Sequence, residues 1–234
     1  MKKTIHHTIA LFGTKGAGKT SFIEALYKEM ENHKSIKLES WSDKVFENIE
    51  KQKKDGTRNS NMLSLNLNFE IKGIKNKFEL KLEDSVGGKT EDSLDDEIDR
   101  AWEYLGKGVR SAGVFIFSIV NGDANSLFDS RGYLRKEAFD KVANKILTNH
   151  SNYIIVFFTH LDVDQNFVKR NLLEERFRDV IKKSMCGDET LKDLQCIEPI
   201  FVSLTNGDNK DRLFDVLKVF NDIDGKGTSM LGVL

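Results

Sequence analysis

The segment IALFGTKGAGKTSFIEAL, residues 9–26, places three glycines within six positions, between a strand-like run and a helix-like run. The apolar residues before the glycines indicate a buried strand, and those after position 21 recur at helical spacing. Glycine loses much conformational entropy on folding and packs no side chain, so the cluster needs a reason. The spacing G-x-x-x-x-G-K-[ST] supplies one, because backbone N–H groups in such a loop, together with a helix N-terminus, surround phosphate oxygens. The matching residues are Gly13, Gly18, Lys19 and Thr20.

This phosphate-binding loop, or P-loop, gives its residues separate tasks. Lys19 is expected to contact the β- and γ-phosphates, and the Thr20 hydroxyl is expected to ligate Mg²⁺. We expect Lys19 to be a solvent-side charge in the empty loop. An ordinary glycine turn with an incidental lysine is the alternative, but the order strand, loop, helix favours phosphate binding. The remaining predicted nucleotide contacts come from Gly13, Thr14, Lys15, Gly16, Ala17, Gly18 and Ser21.

Composition narrows the class of protein. The chain has 234 residues, of which 39% are hydrophobic, which suffices for the core of one large domain. A net charge of −1 gives no general reason to expect nucleic acid or a membrane surface as partner. Two cysteines favour a cytoplasmic protein over a disulfide framework, and no apolar run approaches the length of a membrane span. We expect one nucleotide-binding domain over residues 1–224, with an insert at 34–60 and a flexible C-terminal tail at 225–234.

Strand and helix patterns alternate along the chain, which predicts an α/β fold of three layers with helices on both faces of one sheet. The sheet is expected to have six strands, mostly parallel, with one antiparallel strand at its edge. Strands are predicted at 5–12, 62–71, 77–84, 113–120, 152–159 and 199–203. Helices are predicted at 19–32, 43–54, 91–105, 133–147, 166–184 and 208–221.

In a sheet of this kind the ligand lies beyond the carboxyl ends of the strands, so the residues that follow each strand carry the information. After strand 77–84 comes Asp84-Ser85-Val86-Gly87. Asp84 could hold Mg²⁺ through water, and Gly87 leaves an N–H available for a γ-phosphate. The alternative is an ordinary turn.

Two further loops are candidates for binding the base. Thr159-His160-Leu161-Asp162 follows strand 152–159, and a carboxylate at Asp162 could accept both N–H donors on one edge of guanine, which adenine lacks. Asp162 could instead cap the following helix. After the last strand, backbone N–H groups near Ser203 and Leu204 could meet the guanine O6.

One polar stretch between the first helix and the strand hairpin should supply a threonine for Mg²⁺ and the γ-phosphate. The sequence KDGTRNSN offers Thr57, with Ser60 as the second choice. The alternative is an ordinary polar turn.

Taken together, GTKGAGKT, Thr57, DSVG, THLD and SLT stand in the order of the five guanine-nucleotide motifs of P-loop GTPases. Over residues 5–221 the chain resembles a Ras-like G domain of the translation-factor-related class. The resemblance implies GTP or GDP binding, Mg²⁺, two switch loops around Thr57 and Asp84–Gly87, hydrolysis to GDP, and a protein effector or activator.

The subfamily has two candidates. His160 stands where most of these GTPases have lysine, and it could stack on the base. The segment VFFTHLD resembles AIG1/Toc-like and septin-related GTPases. That resemblance implies a homodimer across the nucleotide site. The P-loop and the insert before Thr57 are more similar to prokaryotic GTPases of defence or signalling.

Gly88 is a departure from the family, because many GTPases have a water-orienting glutamine there. Hydrolysis is therefore expected to be slow, or to depend on Lys15 or Arg58. The alternative interpretation of these two residues is that they are ordinary solvent-exposed charges. The leading hypothesis is a GTP-dependent molecular switch. A P-loop ATPase or nucleotide kinase, and a nucleotide-bound scaffold with little hydrolysis, remain as alternatives.

Overall fold

The structure is a computed structural model. It describes residues 3–13, 17–39, 63–84, 112–120, 127–147, 153–159, 166–185, 200–204 and 209–218. The helices predicted at 43–54 and 91–105, and the predicted C-terminal tail, lie outside these ranges.

Strands and helices alternate as expected for an α/β chain. The strands are β1 (Thr4–Phe12), β2 (Ile36–Leu38), β3 (Leu63–Ile71), β4 (Lys77–Asp84), β5 (Ala112–Ser118), β6 (Tyr153–Thr159) and β7 (Ile200–Phe201). The helices are α1 (Lys19–Asn32), α2 (Lys136–Leu147), α3 (Asn166–Met185) and a 3₁₀ helix (Lys210–Lys218).

All described strands form one sheet in the order β2-β3-β4-β1-β5-β6-β7. β1 pairs in parallel with β4 and β5, and the parallel pairing continues through β6 to β7. β3 is antiparallel to both β4 and β2, so it alone among the described strands runs against the rest. The predicted mostly parallel sheet with one antiparallel strand is confirmed.

The sheet differs from the prediction at its edge. β2 is a seventh strand that pairs outside β3, so the antiparallel strand lies second from the edge. Three residues are too few for an alternating pattern to be recognised in sequence. The position of β2 depends on the turn after α1, where Ile36 N–H donates to the His33 carbonyl at 3.1 Å.

The strands β1, β5 and β6 bury side chains on both faces, and these alternating side chains enter two separate cores. Ile9 and Leu11 of β1 face the core under α1 and the 3₁₀ helix, whereas Ala10 and Phe12 face the core under α2 and α3. This arrangement explains why β5 and β6 are continuously apolar in sequence. The result is the predicted three-layer architecture.

Two helices of the structure differ from the prediction, one in its first residue and the other in its type. α2 begins three residues later than predicted, because Tyr133 and Arg135 make turn hydrogen bonds to Asp129 and Leu127. The predicted C-terminal helix is a 3₁₀ helix, in which Arg212 N–H donates to the Asn209 carbonyl three residues earlier. Within the described ranges, no helix has both the length and the apolar character needed to cross a bilayer.

Candidate functional site

The two ends of the glycine loop have backbone conformations that favour glycine. Gly13, directly after β1, has φ 149°, and Gly18, directly before α1, has φ 94°. A Cβ on Gly13 would lie 2.1 Å from the carbonyl oxygen of Ile116 in β5, which is far closer than any real contact. The loop therefore leaves β1 so close to the neighbouring strand that a side chain has no room.

The N-terminus of α1 has no carboxylate in its own first turn. Gly18 is the N-cap residue and makes no side-chain cap, and the first turn, all of it within the described chain, has no acidic residue. The helix is continuous from its start, since Phe22 N–H donates to the Gly18 carbonyl at 2.7 Å. The positive end of the helix dipole therefore faces the loop without a carboxylate of its own first turn to offset it, which suits an anionic ligand.

Lys19 lies across the loop. Its side chain donates a hydrogen bond from Nζ to the Gly13 carbonyl, and the residue is only 7% exposed. The expectation that Lys19 is a solvent-side charge in the empty loop is wrong, because the ammonium finds an acceptor at the opposite end of the loop. This hydrogen bond links the residue that follows the last glycine of the loop to the first glycine, Gly13, and holds the positive charge beside it.

Thr159, the first residue of THLD, connects that segment to the glycine loop. It is fully buried at the end of β6, beside Ser118 of β5. Its hydroxyl lies 2.8 Å from the Ala17 carbonyl and 3.3 Å from the Phe117 carbonyl. A hydroxyl has one proton to donate, and the shorter distance favours Ala17. The sequence indicated Thr159 as a nucleotide contact but gave no sign of this bond.

The segment after β7 lies against the same loop. Val202 N–H donates to the Phe158 carbonyl at 2.9 Å, which holds the segment beside β6, and Ser203 is fully buried. The Leu204 Cδ1 atom lies 3.2 Å from the position that a Cβ on Gly18 would take. Leu204 therefore covers the glycine at the start of α1.

The backbone of Asp84 reaches the same end of the sheet. In the parallel pairing of β1 and β4, Asp84 is opposite Leu11, two residues before Gly13. DSVG thus begins level with the glycine loop and one strand away from it. Thr20 is the second residue of α1, so two of the three residues predicted as metal ligands, Thr20 and Asp84, lie at this edge of the sheet; the third, Thr57, lies outside the described residues.

The structure brings Gly13, Ala17, Gly18, Lys19, Thr20, Ser21, Thr159, Ser203 and Leu204 together at one end of the sheet, with the backbone of Asp84. The other predicted site residues lie outside the described residues: Thr14, Lys15, Gly16, Thr57, Arg58, Gly87, His160 and Asp162.

Lys169, near the start of α3, makes partly buried contacts that the sequence did not indicate. Its Nζ donates to the carbonyl of Ile119, just after β5, at 2.9 Å and lies 5.0 Å from the centre of the Phe128 ring. Burial lowers the pKa of Lys169 below its ordinary value. A lysine within a polar helical pattern gives no sequence signal that distinguishes it from an exposed one.

Comparison with family models and with curated proteins finds no match. Comparison with solved structures finds similarity to Sup35 complexed with GMPPNP, with a TM-score of 0.42, 14% identity and 87% of this chain covered. The G domain of the FeoB iron transporter of T. maritima has a TM-score of 0.41 and 16% identity, over 91% of this chain and 99% of that one. Roco2 of Methanosarcina barkeri bound to GDP has a TM-score of 0.46 and 14% identity over 93% of this chain.

The chain spans 38% of the length of the Sup35 structure and 50% of the Roco2 structure. Among the described strands of this chain, one is antiparallel and lies beside β4, and the glycine loop lies between β1 and α1.

Proposed function

We propose that this protein is a GTP-binding molecular switch that hydrolyses GTP to GDP slowly and requires Mg²⁺. The observation that carries the proposal is the glycine loop itself: Gly13 and Gly18 at its two ends have positive φ, the Lys19 ammonium bonds the Gly13 carbonyl, and α1 begins directly after Gly18. Such a loop can surround the phosphates of a nucleotide with backbone N–H groups and one ammonium. On phosphate binding, the Lys19 ammonium can exchange the Gly13 carbonyl for phosphate oxygens.

Guanine selectivity is proposed for Asp162, three residues after Thr159. The buried Thr159 hydroxyl on the Ala17 carbonyl supports this proposal, because it ties the start of THLD to the phosphate loop. A carboxylate that accepts both N–H donors of guanine loses both with adenine, and sites built for such hydrogen bonds discriminate by factors on the order of 10⁴. His160 would stack on the base, and backbone groups at Ser203 and Leu204 would meet the guanine O6.

Thr20 and Asp84 are the proposed Mg²⁺ ligands, with Thr57 joining them in the GTP state. Among the described side chains no group of three or more His, Cys, Asp or Glu could hold a metal ion. The proposed donors, Thr20 and Asp84, fit Mg²⁺ bound together with a nucleotide, since this ion is commonly held by one or two protein ligands together with phosphates and water. When bound, Mg²⁺ would neutralise charge on the phosphate oxygens.

Switching is proposed for the loops at Thr57 and at Gly87, which would contact the γ-phosphate and release it on hydrolysis. Gly88 has no side chain to orient the attacking water, so turnover should be near the intrinsic Ras rate of about 10⁻⁴ s⁻¹. Lys15 in cis, or Arg58 from a second copy across the nucleotide site, would supply the missing charge.

Base selectivity is tested by titration calorimetry with GTP, ATP and xanthosine triphosphate. Asp162→Asn should weaken GTP binding and improve binding of xanthosine triphosphate, whose base offers an acceptor where guanine offers a donor. Asp164→Asn, two residues later in the same loop, is the matched control and should leave both affinities unchanged. Comparable affinities of the wild type for GTP and ATP would contradict the proposal and favour a P-loop ATPase.

The role of a second copy is tested by the rate of GTP turnover per molecule over a range of protein concentrations. A rate that rises with concentration and falls in Arg58→Ala supports a finger in trans, for which factors of about 10³ to 10⁵ are known. Fast turnover that does not depend on concentration would contradict the trans arrangement and point to Lys15.

A further inference from the structure

The segment between β5 and α2 contains a compact turn, residues 127–135, that we call the 127–135 loop. Phe128 and Leu134 form an antiparallel bridge across it, and Arg135 N–H donates to the Leu127 carbonyl at 2.9 Å. Inside this bridge, Asp129 N–H donates to the Tyr133 carbonyl, also at 2.9 Å. The two arms of the loop are therefore joined at successive levels.

The Asp129 side chain closes the tip of the loop. Its Oδ1 accepts from the backbone N–H groups of Arg131 and Tyr133, each at 2.9 Å, and Gly132 with φ 86° makes the turn. Hydrogen bonds from Tyr133 first, and then from Arg131, hold the pKa of Asp129 below its ordinary value. The tip is thus fixed by side-chain and backbone bonds together.

The base of the loop is anchored in the protein core. Leu127 and Phe128 are buried in the core beneath α2 and α3, and the Lys169 ammonium lies over the Phe128 ring. Arg135 also accepts the first helical hydrogen bond of α2, from Phe139 N–H at 2.9 Å. A loop anchored at both ends and bonded across its middle presents its outer side chains in a fixed arrangement.

Those outer side chains are an aromatic ring and a guanidinium group. Among the described residues, Tyr133 (67% exposed) and Val168 (74% exposed) are the large hydrophobic residues that face solvent. The Arg131 guanidinium lies 5.5 Å from the centre of the Tyr133 ring, and its side chain is 78% exposed. Tyrosine and arginine are, with tryptophan, the residue types enriched at the energetic centres of protein interfaces.

We propose that the 127–135 loop is a docking site for an acidic segment of a partner protein, with Tyr133 as the apolar anchor and Arg131 as the carboxylate-binding group. The proposal goes beyond nucleotide binding and does not depend on it. Because the loop is already ordered by its own hydrogen bonds, a partner would not have to order it, which favours affinity.

Charge indicates the chemistry of the partner. The Asp129 carboxylate accepts two amide hydrogen bonds, and its ion pair with Arg131 is long, at 3.6 Å, and exposed, so it is worth little. The Arg131 guanidinium can therefore take a second carboxylate in a bidentate manner. At the start of α2 the exposed Lys136 and Glu137 carry opposite charges next to the loop, so the positive charge that would bind an acidic segment is that of Arg131.

A partner protein is favoured over a membrane surface. Binding to a bilayer interface requires a broad apolar face with several basic residues, whereas the loop presents one ring. The net charge of −1 also gives the whole chain no attraction to anionic lipid.

The test uses the full chain and a phage-displayed library of random dodecapeptides, followed by fluorescence anisotropy with the selected synthetic peptides. We expect the selected peptides to combine Asp or Glu with an apolar residue. Tyr133→Ala should weaken their binding about 30-fold, as for an interface residue at the hot-spot threshold. Arg131→Ala should also weaken it, with a loss that shrinks at high salt.

Three controls separate docking from folding. Val168→Ala removes the other large hydrophobic side chain that is exposed among the described residues, and should leave peptide binding unchanged. Asp129→Asn keeps an oxygen that accepts both amide hydrogen bonds and should preserve binding, whereas Asp129→Ala releases the tip and should weaken it. GDP affinity should be the same in the wild type and in Tyr133→Ala, so failure of this proposal is distinguishable from failure of the proposed GTP binding.

Several results would overturn the proposal. One is a selection that yields no peptide, or peptides without acidic residues; another is binding that survives Tyr133→Ala. Self-association in analytical ultracentrifugation that is lost in Tyr133→Ala would identify a second copy as the occupant instead. Tyr133-dependent binding to phosphatidylserine–phosphatidylcholine vesicles, without peptide binding, would identify a membrane.

Discussion

Three glycines with positive φ allow the geometry of the phosphate loop to be tested by one repeated substitution, glycine to alanine. Gly73, in the turn between β3 and β4, has φ 87°, and a Cβ there would have nothing within 4 Å. Gly73→Ala therefore measures backbone strain alone, which should lower the free energy of unfolding by about 1–2 kcal/mol.

At the two described glycines of the phosphate loop, Gly13 and Gly18, a new Cβ adds a close contact to that strain. At Gly18 the nearest atom to a new Cβ is Leu204 Cδ1 at 3.2 Å, the end of a side chain that can rotate away. Gly18→Ala should therefore cost about 1–3 kcal/mol, the strain plus modest overpacking. At Gly13 the nearest atom is the backbone carbonyl oxygen of Ile116 at 2.1 Å. Ile116 follows Phe115, the last residue of β5 that pairs with β1, and is itself paired with Phe157 of β6, so that carbonyl cannot move without disturbing the pairing of β5.

Gly13→Ala should therefore cost more than about 4 kcal/mol, which is exceptional for one residue and a large part of a typical stability of about 5–15 kcal/mol. Urea denaturation followed by circular dichroism gives the three values, and an unchanged slope with urea concentration shows that the denatured state is comparable. The expected order of losses is Gly73, then Gly18, then Gly13. A Gly13→Ala protein as stable as Gly73→Ala would refute the close approach of the loop to β5.

Further substitutions test individual contacts of the site and of the 127–135 loop. Lys19→Met keeps the aliphatic stem but removes the ammonium; it should abolish binding of GTP and GDP in calorimetry and, since the Gly13 hydrogen bond is lost, lower the free energy of unfolding by about 1–3 kcal/mol. Nucleotide binding that survives would contradict the phosphate role. Thr159→Val removes the hydroxyl that bonds the Ala17 carbonyl without changing the side-chain shape, and should cost about 1–3 kcal/mol in urea denaturation, whereas Thr159→Ser should keep the bond; equal losses in the two variants would show that the hydroxyl is not used. Asp129 has a lower pKa in the folded loop than its ordinary value of 3.8, so its stabilisation is complete above that pH and is lost as the pH falls through the folded value. Amide shifts of Arg131 and Tyr133 in NMR should report the transition, and a transition of the same midpoint in Asp129→Asn would contradict the assignment.

The sheet and the order of elements along the chain could be predicted because four of the strands have a clear hydrophobic pattern in the sequence. β5 and β6 are continuously apolar, and β3 and β4 alternate, so both kinds of strand have a periodic signal. β2 could not be predicted, since three residues carry no period. The start of α2 was misjudged because Tyr133 and Leu134 fit a helical pattern, whereas the Asp129 side chain and the Phe128–Leu134 bridge hold them in a turn.

The phosphate loop could be located from sequence because its backbone needs positive φ, and at Gly13 also the absence of a Cβ, which glycine provides. The contacts that hold it could not. The bond from Thr159 to Ala17 joins residues far apart in the chain, and the Ile116 carbonyl that excludes a side chain at Gly13 belongs to a strand whose register the sequence leaves open. The burial of Lys19 could not be predicted for a related reason: its acceptor is a backbone carbonyl, and every residue has one, so the sequence does not indicate which carbonyl is used. The roles of Thr57, Gly87 and Asp162 stay predictions.

The central claim, guanine-nucleotide binding at the glycine loop, is tested most directly by titrating the nucleotide-free protein with GDP and with ADP in the same calorimeter. The account predicts that GDP binds on the order of 10⁴ times more tightly than ADP, because Asp162 pairs with two donors that adenine lacks. Equal affinities for GDP and ADP would contradict base recognition by Asp162. Absence of binding to either nucleotide would contradict the phosphate-binding role of the loop itself.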